Sequence, residues 1–234
     1  MKLNSIYYAW FGLVWFGLVW FGLVWCESAR LIKKSAQIYL RTVMTAFNKV
    51  FIVTPNVNDF AMLQESPLEM SLQVTASKPI QLYGESVKAS WKSIDIEWLD
   101  VKGEKPLPRP DIAAWGSFTL AVSASIADKL DVLSENVEFL PLNLQGKPWR
   151  ALNIVTQIDA IDASATEYNL RHGKLSRARP FKKLVLNREA VNESNLFRVK
   201  GAGLRTFCTD KKGGLYDSVK ALNLTGLDFK EVLV

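Results

Sequence analysis

A hydrophobic repeat at the N-terminus places the strongest constraint on what this chain can fold into. The pentapeptide Trp-Phe-Gly-Leu-Val occurs three times in succession over residues 10–24, inside a run from Leu3 to Cys26 that contains no charged residue. A helix of ~20 mostly apolar residues spans a bilayer, and the basic residues between positions 30 and 41 would hold the following domain on the cytoplasmic side. Residues 3–26 are therefore predicted to form a hydrophobic helix, with a membrane span as one interpretation.

A second interpretation places this repeat outside the folded protein. A five-residue period matches neither the period of a helix nor that of a strand, so packing does not explain it. The repeat can be encoded by reiterated TGGTT, as in translated simple-repeat DNA, and translation would then begin at Met44, directly before the first predicted strand. Residues 1–43, which also carry a predicted basic amphipathic helix, are accordingly separated from a main domain at residues 44–234.

The positive charge of the chain is concentrated in the same N-terminal segment. The whole sequence has a formal net charge of +6, with 29 Lys and Arg residues against 23 Asp and Glu residues. Residues 1–43 hold five basic residues and one acid, which leaves the main domain at only +2. Nucleic-acid binding depends on clustered positive charge that neutralises phosphates, so this nearly balanced domain argues against a nucleic-acid partner.

Cysteine and histidine are scarce in the sequence. Cys26 and Cys208 lie far apart, which argues against a disulfide framework and favours a reducing compartment. His172 is the only histidine, and this set does not supply a zinc site of ordinary ligand spacing. We therefore predict no metal and no cofactor. The expected location is the cytoplasm, or the inner membrane with the main domain facing the cytoplasm if residues 3–26 form a span.

The main domain is predicted to be a single α+β domain, mainly an antiparallel sheet with a few short helices. Short β-like runs follow one another from position 50 onward, and no Gly/Ser linker divides them. The predicted strands cover residues 50–54, 72–75, 94–101, 118–122, 137–144, 149–155, 183–186, 196–200, 205–208 and 227–233. Residues 145–147 are expected to form a hairpin turn, and the prolines within residues 105–110 indicate a loop or an edge segment.

A strand-helix-strand pattern occurs twice and suggests a duplicated unit. In the first copy Ser125 and Asp128 are predicted to form a capping box before a helix, whose apolar face carries Ile126, Leu130 and Leu133. In the second copy Leu215, Val219 and Leu222 have the same spacing. Both helices are expected to pack on one sheet.

Sequence motifs of common enzyme classes are absent. The chain has no Gly-x-Ser-x-Gly elbow, no Gly-x4-Gly-Lys-Ser/Thr loop and no His-Glu-x-x-His pair. Asp159, Asp162 and Glu167 form a small acidic group that has two interpretations. These carboxylates could serve an unrecognised hydrolase, or Asp159 and Asp162 could accept hydrogen bonds from nearby backbone amides in a turn. His172 is expected to be a surface residue in a polar turn.

A basic stretch is the predicted partner-binding surface. Six cations and no acid lie within thirteen residues: Arg171, Lys174, Arg177, Arg179, Lys182 and Lys183. Such a stretch is either a solvated loop or a surface that steers an acidic protein partner. Asp159 and Asp162 complete the candidate binding residues. Four tryptophans are expected in the core or at its rim, where an exposed one would be a binding anchor: Trp91, Trp98, Trp115 and Trp149.

Several blocks of the sequence resemble one protein family. The blocks are Val122-Ser-Ala-Ser-Ile-Ala-Asp-Lys-Leu130, Asn136-Val-Glu-Phe-Leu-Pro141, Trp149-Arg-Ala-Leu-Asn-Ile-Val155, Ile158-Asp-Ala-Ile-Asp-Ala-Ser164, Leu196-Phe-Arg-Val199, Cys208-Thr-Asp210, the predicted helix from Leu215 to Leu222 and Thr225-Gly-Leu-Asp-Phe229. In this order they resemble the myxobacterial-type immunity protein family of bacterial polymorphic toxin systems, over residues 118–234 and more weakly over residues 47–59. Residues 1–43 depart from the family.

The resemblance implies a cytoplasmic antidote that binds and neutralises a cognate toxin, and it implies no catalytic residue. Because immunity proteins act by covering or blocking a toxin, this function agrees with the missing enzyme motifs. A membrane-anchored interaction module, held by residues 3–26, is the alternative. A hydrolase that depends on the acidic group is the third hypothesis.

Overall fold

The computed structural model describes residues 47–76, 80, 82–100, 105–116, 118–176, 179–192 and 194–234. These residues belong to one compact unit, Phe47–Val234. The predicted hydrophobic helix, the basic helix after it and the alternative start at Met44 lie outside the described residues. Within the described ranges, no helix is long and apolar enough to cross a membrane.

Sheet dominates the described part of the chain, and the helices are few and short. The strands are β1 (Val50–Pro55), β2 (Leu63–Glu65), β3 (Ile94–Trp98), β4 (Ile112–Trp115), β5 (Thr119–Ser123), β6 (Val137–Leu144), β7 (Lys147–Ile154), β8 (Gln157–Ile158), β9 (Glu167–Tyr168), β10 (Leu170–Arg171), β11 (Lys174–Leu175), β12 (Phe181–Lys183), β13 (Leu196–Val199), β14 (Thr206–Thr209) and β15 (Leu227–Val232). The helices are α1 (Pro67–Ala76), α2 (Ala124–Lys129), α3 (Arg188–Val191) and α4 (Leu215–Ala221), with a 3-10 turn at Asp131–Leu133. The predicted α+β class is confirmed.

Two large sheets organise the fold. Strands β2, β3, β6, β7, β5 and β4 follow one another around a closed barrel, in which Leu63 pairs with Trp115 to complete the ring. The second sheet has five strands in the order β15-β1-β14-β13-β8. Its strands are antiparallel except at the β13–β8 edge. In the described residues, most strand pairs are antiparallel, as the sequence predicts.

Alternating side chains divide the interior into three apolar clusters. In the barrel wall, Ala113 faces a cluster inside the barrel, whereas its neighbour Ile112 faces a second cluster. That second cluster also contains Phe51 and Cys208 of the five-stranded sheet. The opposite face of that sheet buries Phe197 in a third cluster. Because β4 contributes to two clusters, all four of its residues are buried, and each large apolar side chain that is buried contributes roughly 1.5–3 kcal/mol.

Helix α1 corrects one strand prediction. Residues 72–75 are helical, not extended. Ser66 accepts a hydrogen bond at its Oγ from the backbone N–H of Glu69, at 3.3 Å, and Pro67 occupies the first helical position, where its missing N–H costs nothing. This Ser-Pro-x-Glu start is a helix signal that outweighs the β-like residues that follow it.

The two predicted repeats share one topology. In the first, β5 and β6 flank α2 and run parallel with β7 between them. In the second, β14 and β15 flank α4 and run parallel with β1 between them. Both helices contribute to the cluster between the sheets. The expectation that both pack on one sheet is wrong, since α2 contacts the barrel and α4 contacts β14. Duplication as their origin stays a prediction.

Details of the two repeats differ from the sequence prediction. The N-cap of α2 is Ser123, without a side-chain cap, so the predicted capping box at Ser125 and Asp128 is wrong; the helix begins at Ala124, directly after the strand. Of the predicted apolar positions, Leu222 is exposed, because the helix ends at Ala221.

Most remaining strand predictions are confirmed within a few residues. The hairpin turn at Gln145 and Gly146 joins β6 to β7, and residues 105–110 form no strand. The predicted strand at residues 183–186 is shifted, because Phe181–Lys183 forms the ladder and the positions after it make only isolated bridges. The sequence prediction missed strands β2, β4, β8, β9, β10 and β11, most of which have two or three residues.

Candidate partner-binding surface

Residues 167–176 and 179–183 contribute the paired strands of an irregular β-hairpin, and we call these described residues the basic arm. Its lower ladder joins β9 to β12, and its upper ladder joins β10 to β11. Between the two ladders, the backbone N–H of Asn169 donates to the carbonyl of Pro180 at 2.8 Å, and the N–H of Ser176 donates to the carbonyl of Asn169 at 2.9 Å. The described cations of the basic stretch therefore lie along these two ladders.

A two-residue turn forms the tip of the basic arm. His172 and Gly173 have positive φ values of 52° and 72°, which is the geometry of the tight hairpin turns that match strand twist. Leu170 pairs with Leu175, and Arg171 pairs with Lys174. Since successive side chains point to opposite faces of a strand, the tip carries a leucine pair on one face and a cation pair on the other.

The base of the basic arm is fixed to the domain by hydrogen bonds. The hydroxyl of Thr166 donates to the carbonyl of Val185 and accepts from the N–H of the same residue, both at 3.1 Å. The backbone N–H of Asp162 donates to the same carbonyl at 3.0 Å. Ile161 and Leu186 add a bridge. The arm is therefore anchored by residues on both sides of its base.

Asp162 has a structural role at this base. Its Oδ1 accepts hydrogen bonds from the hydroxyl of Ser164 at 2.6 Å, from the N–H of Ser164 at 2.9 Å and from the N–H of Ala165 at 3.1 Å. The hydrogen bond from the Ser164 hydroxyl, with those from the two amides, lowers the pKa of Asp162 below its ordinary value. This carboxylate forms the backbone turn that the sequence suggested as one of two interpretations.

The other predicted acids do not join Asp162 in one cluster. Asp159 is exposed just beyond β8. Glu167 is exposed on β9, where it lies opposite Lys183 in the ladder. Among the described residues, no group of three or more His, Cys, Asp and Glu side chains is placed to hold a metal ion.

The described cations of the basic arm are all exposed to solvent. They are Arg171, Lys174, Arg179, Lys182 and Lys183, and none forms an ion pair with a carboxylate of the described residues. Arg177 lies outside the described residues. Apolar side chains accompany the cations: Leu170 is 61% exposed, Leu175 is 48% exposed and Tyr168 is 39% exposed. The sequence prediction missed these three, although Leu170 and Leu175 flank the tip symmetrically.

Comparison with known proteins assigns the chain to a family. The sequence profile of an immunity protein family, described as Immunity protein family (Imm11), matches residues 99–234, which is more than half of the chain. The chain belongs to this immunity protein family. The family resemblance predicted from the ordered sequence blocks is thereby confirmed. No curated protein sequence matches the chain.

Residues 99–234, which we call the immunity-family region, contain the whole basic arm. This region also contains barrel strands β4 to β7 and every strand of the five-stranded sheet except β1. Strands β1, β2 and β3 and helix α1 precede it. The arm and the sheet beneath it are thus part of the family domain.

The matched region, residues 99–234, contains the single histidine of the sequence and one of its two cysteines. His172 is exposed at the hairpin tip, in the polar turn predicted from the sequence. Cys208 is fully buried, and burial raises the pKa of its thiol far above the ordinary value, so the reactive thiolate is suppressed. Cys208 is thus a small side chain packed within strand β14.

A cleft beside the barrel is a second candidate surface, which the sequence prediction missed. It has a volume of about 670 Å³, and its lining includes Trp98, Arg109 and Glu97. The Arg109 guanidinium carbon lies 5.4 Å from the centre of the Trp98 ring, and that ring packs edge-on against Trp149 at 5.7 Å. Trp115 and Trp149 are buried, and Trp91 and Trp98 are half-buried, which confirms the predicted core and rim positions.

Proposed function

We propose that this protein binds and neutralises a cognate bacterial toxin, as the antidote of a polymorphic toxin system, without catalysing a reaction. The observation that carries this proposal is membership of the immunity protein family, through a match that spans residues 99–234. Neutralisation by binding requires a surface complementary in shape and charge to the toxin, and it requires no reaction centre.

The structure supports this proposal through the composition of its exposed surface. The basic arm combines cations that have no carboxylate partner among the described residues with exposed leucines. Apolar side chains next to charged ones are the usual ingredients of a specific protein interface. The carboxylate of Asp162, by contrast, is occupied by backbone and hydroxyl donors, which weakens the hydrolase hypothesis.

Affinity capture tests the proposed function. The tagged full chain is used to isolate a stoichiometric partner from its native cells, and the partner is then expressed alone in a host bacterium. We expect a partner that kills or arrests the host and that comes from a neighbouring gene for a large secreted protein. Capture of a harmless partner only would contradict the proposal.

The location of the protein is part of the proposal. We propose that the main domain, residues 44–234, acts in the cytoplasm, where a toxin delivered into the cell would meet it. The uncharged run at residues 3–26 supports the alternative of an anchor in the inner membrane. Fractionation of native cells separates these cases, because an anchored protein stays in the membrane pellet after a high-salt wash and an unanchored one does not.

A further inference from the structure

We propose that the basic arm inserts its tip into an acidic concave site of the toxin. This inference rests on the proposed function and adds to it the part of the protein that enters the toxin and the chemistry of the toxin surface. The partner surface is thus a cleft of the toxin. This cleft is lined with carboxylates and also has an apolar patch that receives the leucine pair.

The shape of the tip supports insertion. Leu170 and Leu175 lie on one face of the ribbon, and Arg171 and Lys174 lie on the other. All four are exposed, so the domain covers neither face of the ribbon. A Cβ built at Gly173 would meet no atom within 4 Å. Two paired strands are only about 5 Å apart, and a narrow ribbon that is open on both faces fits a concave partner better than a flat one.

The charge of the arm determines the chemistry of that partner. The described residues of the arm carry five cations and one acid, Glu167, whose place opposite Lys183 is at the base. The tip itself contains Arg171 and Lys174 without an acid between them. Burying unpaired cations against a neutral or basic surface is costly, so a complementary site must supply carboxylates. A toxin whose active site is a basic groove would repel the tip.

The leucine pair favours a protein over a nucleic acid. Exposed leucines gain free energy from burial against apolar side chains, whereas nucleic-acid backbones offer phosphates and sugars. The net charge of the main domain is also low, because most of the +6 lies in residues 1–43. The experiment must therefore exclude binding of a nucleic acid by the arm.

Two tip variants test the insertion. The first is Arg171→Glu with Lys174→Glu, and the second is Leu170→Ser with Leu175→Ser. Binding of each full-length variant to the purified toxin domain, captured as above, is measured at low and moderate salt. We expect Kd to rise at least about 10-fold for both variants, and we expect the salt dependence of binding to fall only for the charge variant.

A matched control separates a local effect from a general change of charge. Lys129→Glu with Lys147→Glu also reverses two exposed cations, and Lys147 adjoins the other tight hairpin turn. This control should bind the toxin within about twofold of the unchanged protein. Urea unfolding of every variant must give the same midpoint, which is expected because the substituted side chains are exposed.

The outcomes distinguish this inference from the proposed function. If the unchanged protein neutralises the toxin and both tip variants bind it as the control does, the insertion is wrong and the proposed function stands. If the unchanged protein does not bind the captured domain, both the insertion and the proposed function are wrong. Equal or tighter binding of a 20-nucleotide RNA or duplex DNA, lost in the charge variant, would also overturn the insertion. If Glu→Lys changes in the toxin cleft restore the binding of the charge variant, this result would support the insertion.

Discussion

Gly226 illustrates how a single residue is fixed by its surroundings. Its φ is +103°, and a Cβ built there would lie 2.1 Å from the carbonyl oxygen of Ile112 and 2.6 Å from Cβ of Pro110. The carbonyl of Gly226 also accepts from the N–H of Asn56 at 2.9 Å. This glycine lets the start of β15 pass against the strand β4 segment, which explains its place in the Thr-Gly-Leu-Asp-Phe block.

Substitution of Gly226 should therefore be costly. We expect Gly226→Ala to lower the free energy of unfolding by about 3 kcal/mol or more, because strained backbone and a steric clash add together. Gly146→Ala is the control, since Gly146 has a φ of +83° but nothing within 4 Å of the added Cβ, and it should cost about 1–2 kcal/mol. Urea denaturation measures both, and equal costs would contradict the predicted clash.

Glu138 links the barrel to the segment that precedes β3. Burial raises the pKa of Glu138, but hydrogen bonds donated by the Ser86 hydroxyl, the Val87 N–H and the Asn153 amide together lower it below its ordinary value. The last two bonds are both 3.0 Å long. The ionised carboxylate is therefore the form that stabilises the folded state.

The pH dependence of stability should report this carboxylate. Because its pKa is lower in the folded state, its contribution is complete above the unfolded pKa and is lost as the pH falls through the folded pKa. We expect the unfolding midpoint in urea to fall more steeply below about pH 4.5 in the unchanged protein than in Glu138→Gln. Glu135→Gln, which removes an exposed carboxylate nearby, is the matched control for the loss of one negative charge. Identical profiles for all three proteins would be inconsistent with this account.

At the scale of elements, tight hairpins set the register of the sheets. Gln145 has a φ of +51° in the turn between β6 and β7, although this conformation suits Asn and Gly better. We expect Gln145→Asn to raise stability by roughly 0.5 kcal/mol and Gln145→Val to lower it, because a β-branched side chain is strained at positive φ. Thermal unfolding of both variants measures the difference, and a more stable Val variant would refute the turn assignment.

Elements with a strong local signal were predictable from the sequence, and those without one were not. The β6–β7 hairpin has long alternating strands and a Gly turn, so it was predicted almost to the residue. The short ribbons β9 to β12 have too few residues for any period to emerge. A strand was predicted within helix α1 because the residues after Ser66 and Pro67 are β-like in composition. A cap and a first-turn proline are more decisive there than composition.

At the scale of the whole molecule, the sequence could not predict how the two sheets share one core. The sequence of β4 shows no alternation of apolar and polar residues, because both faces of the strand are buried. Such a short apolar run does not indicate which side chain faces which cluster. The basic residues of the candidate surface were found as a sequence cluster. Their placement on a hairpin with exposed leucines depends on the short ladders, which only the three-dimensional structure supplies.

The family assignment and the exposed basic arm both support neutralisation of a toxin by binding. The most direct measurement is growth of a host bacterium that expresses the captured toxin domain with and without the full chain. We expect the toxin alone to arrest growth, co-expression of this protein to restore it, and Lys129→Glu with Lys147→Glu to preserve the rescue. Continued arrest, with both proteins present in a stable complex or with no complex at all, would contradict neutralisation by binding.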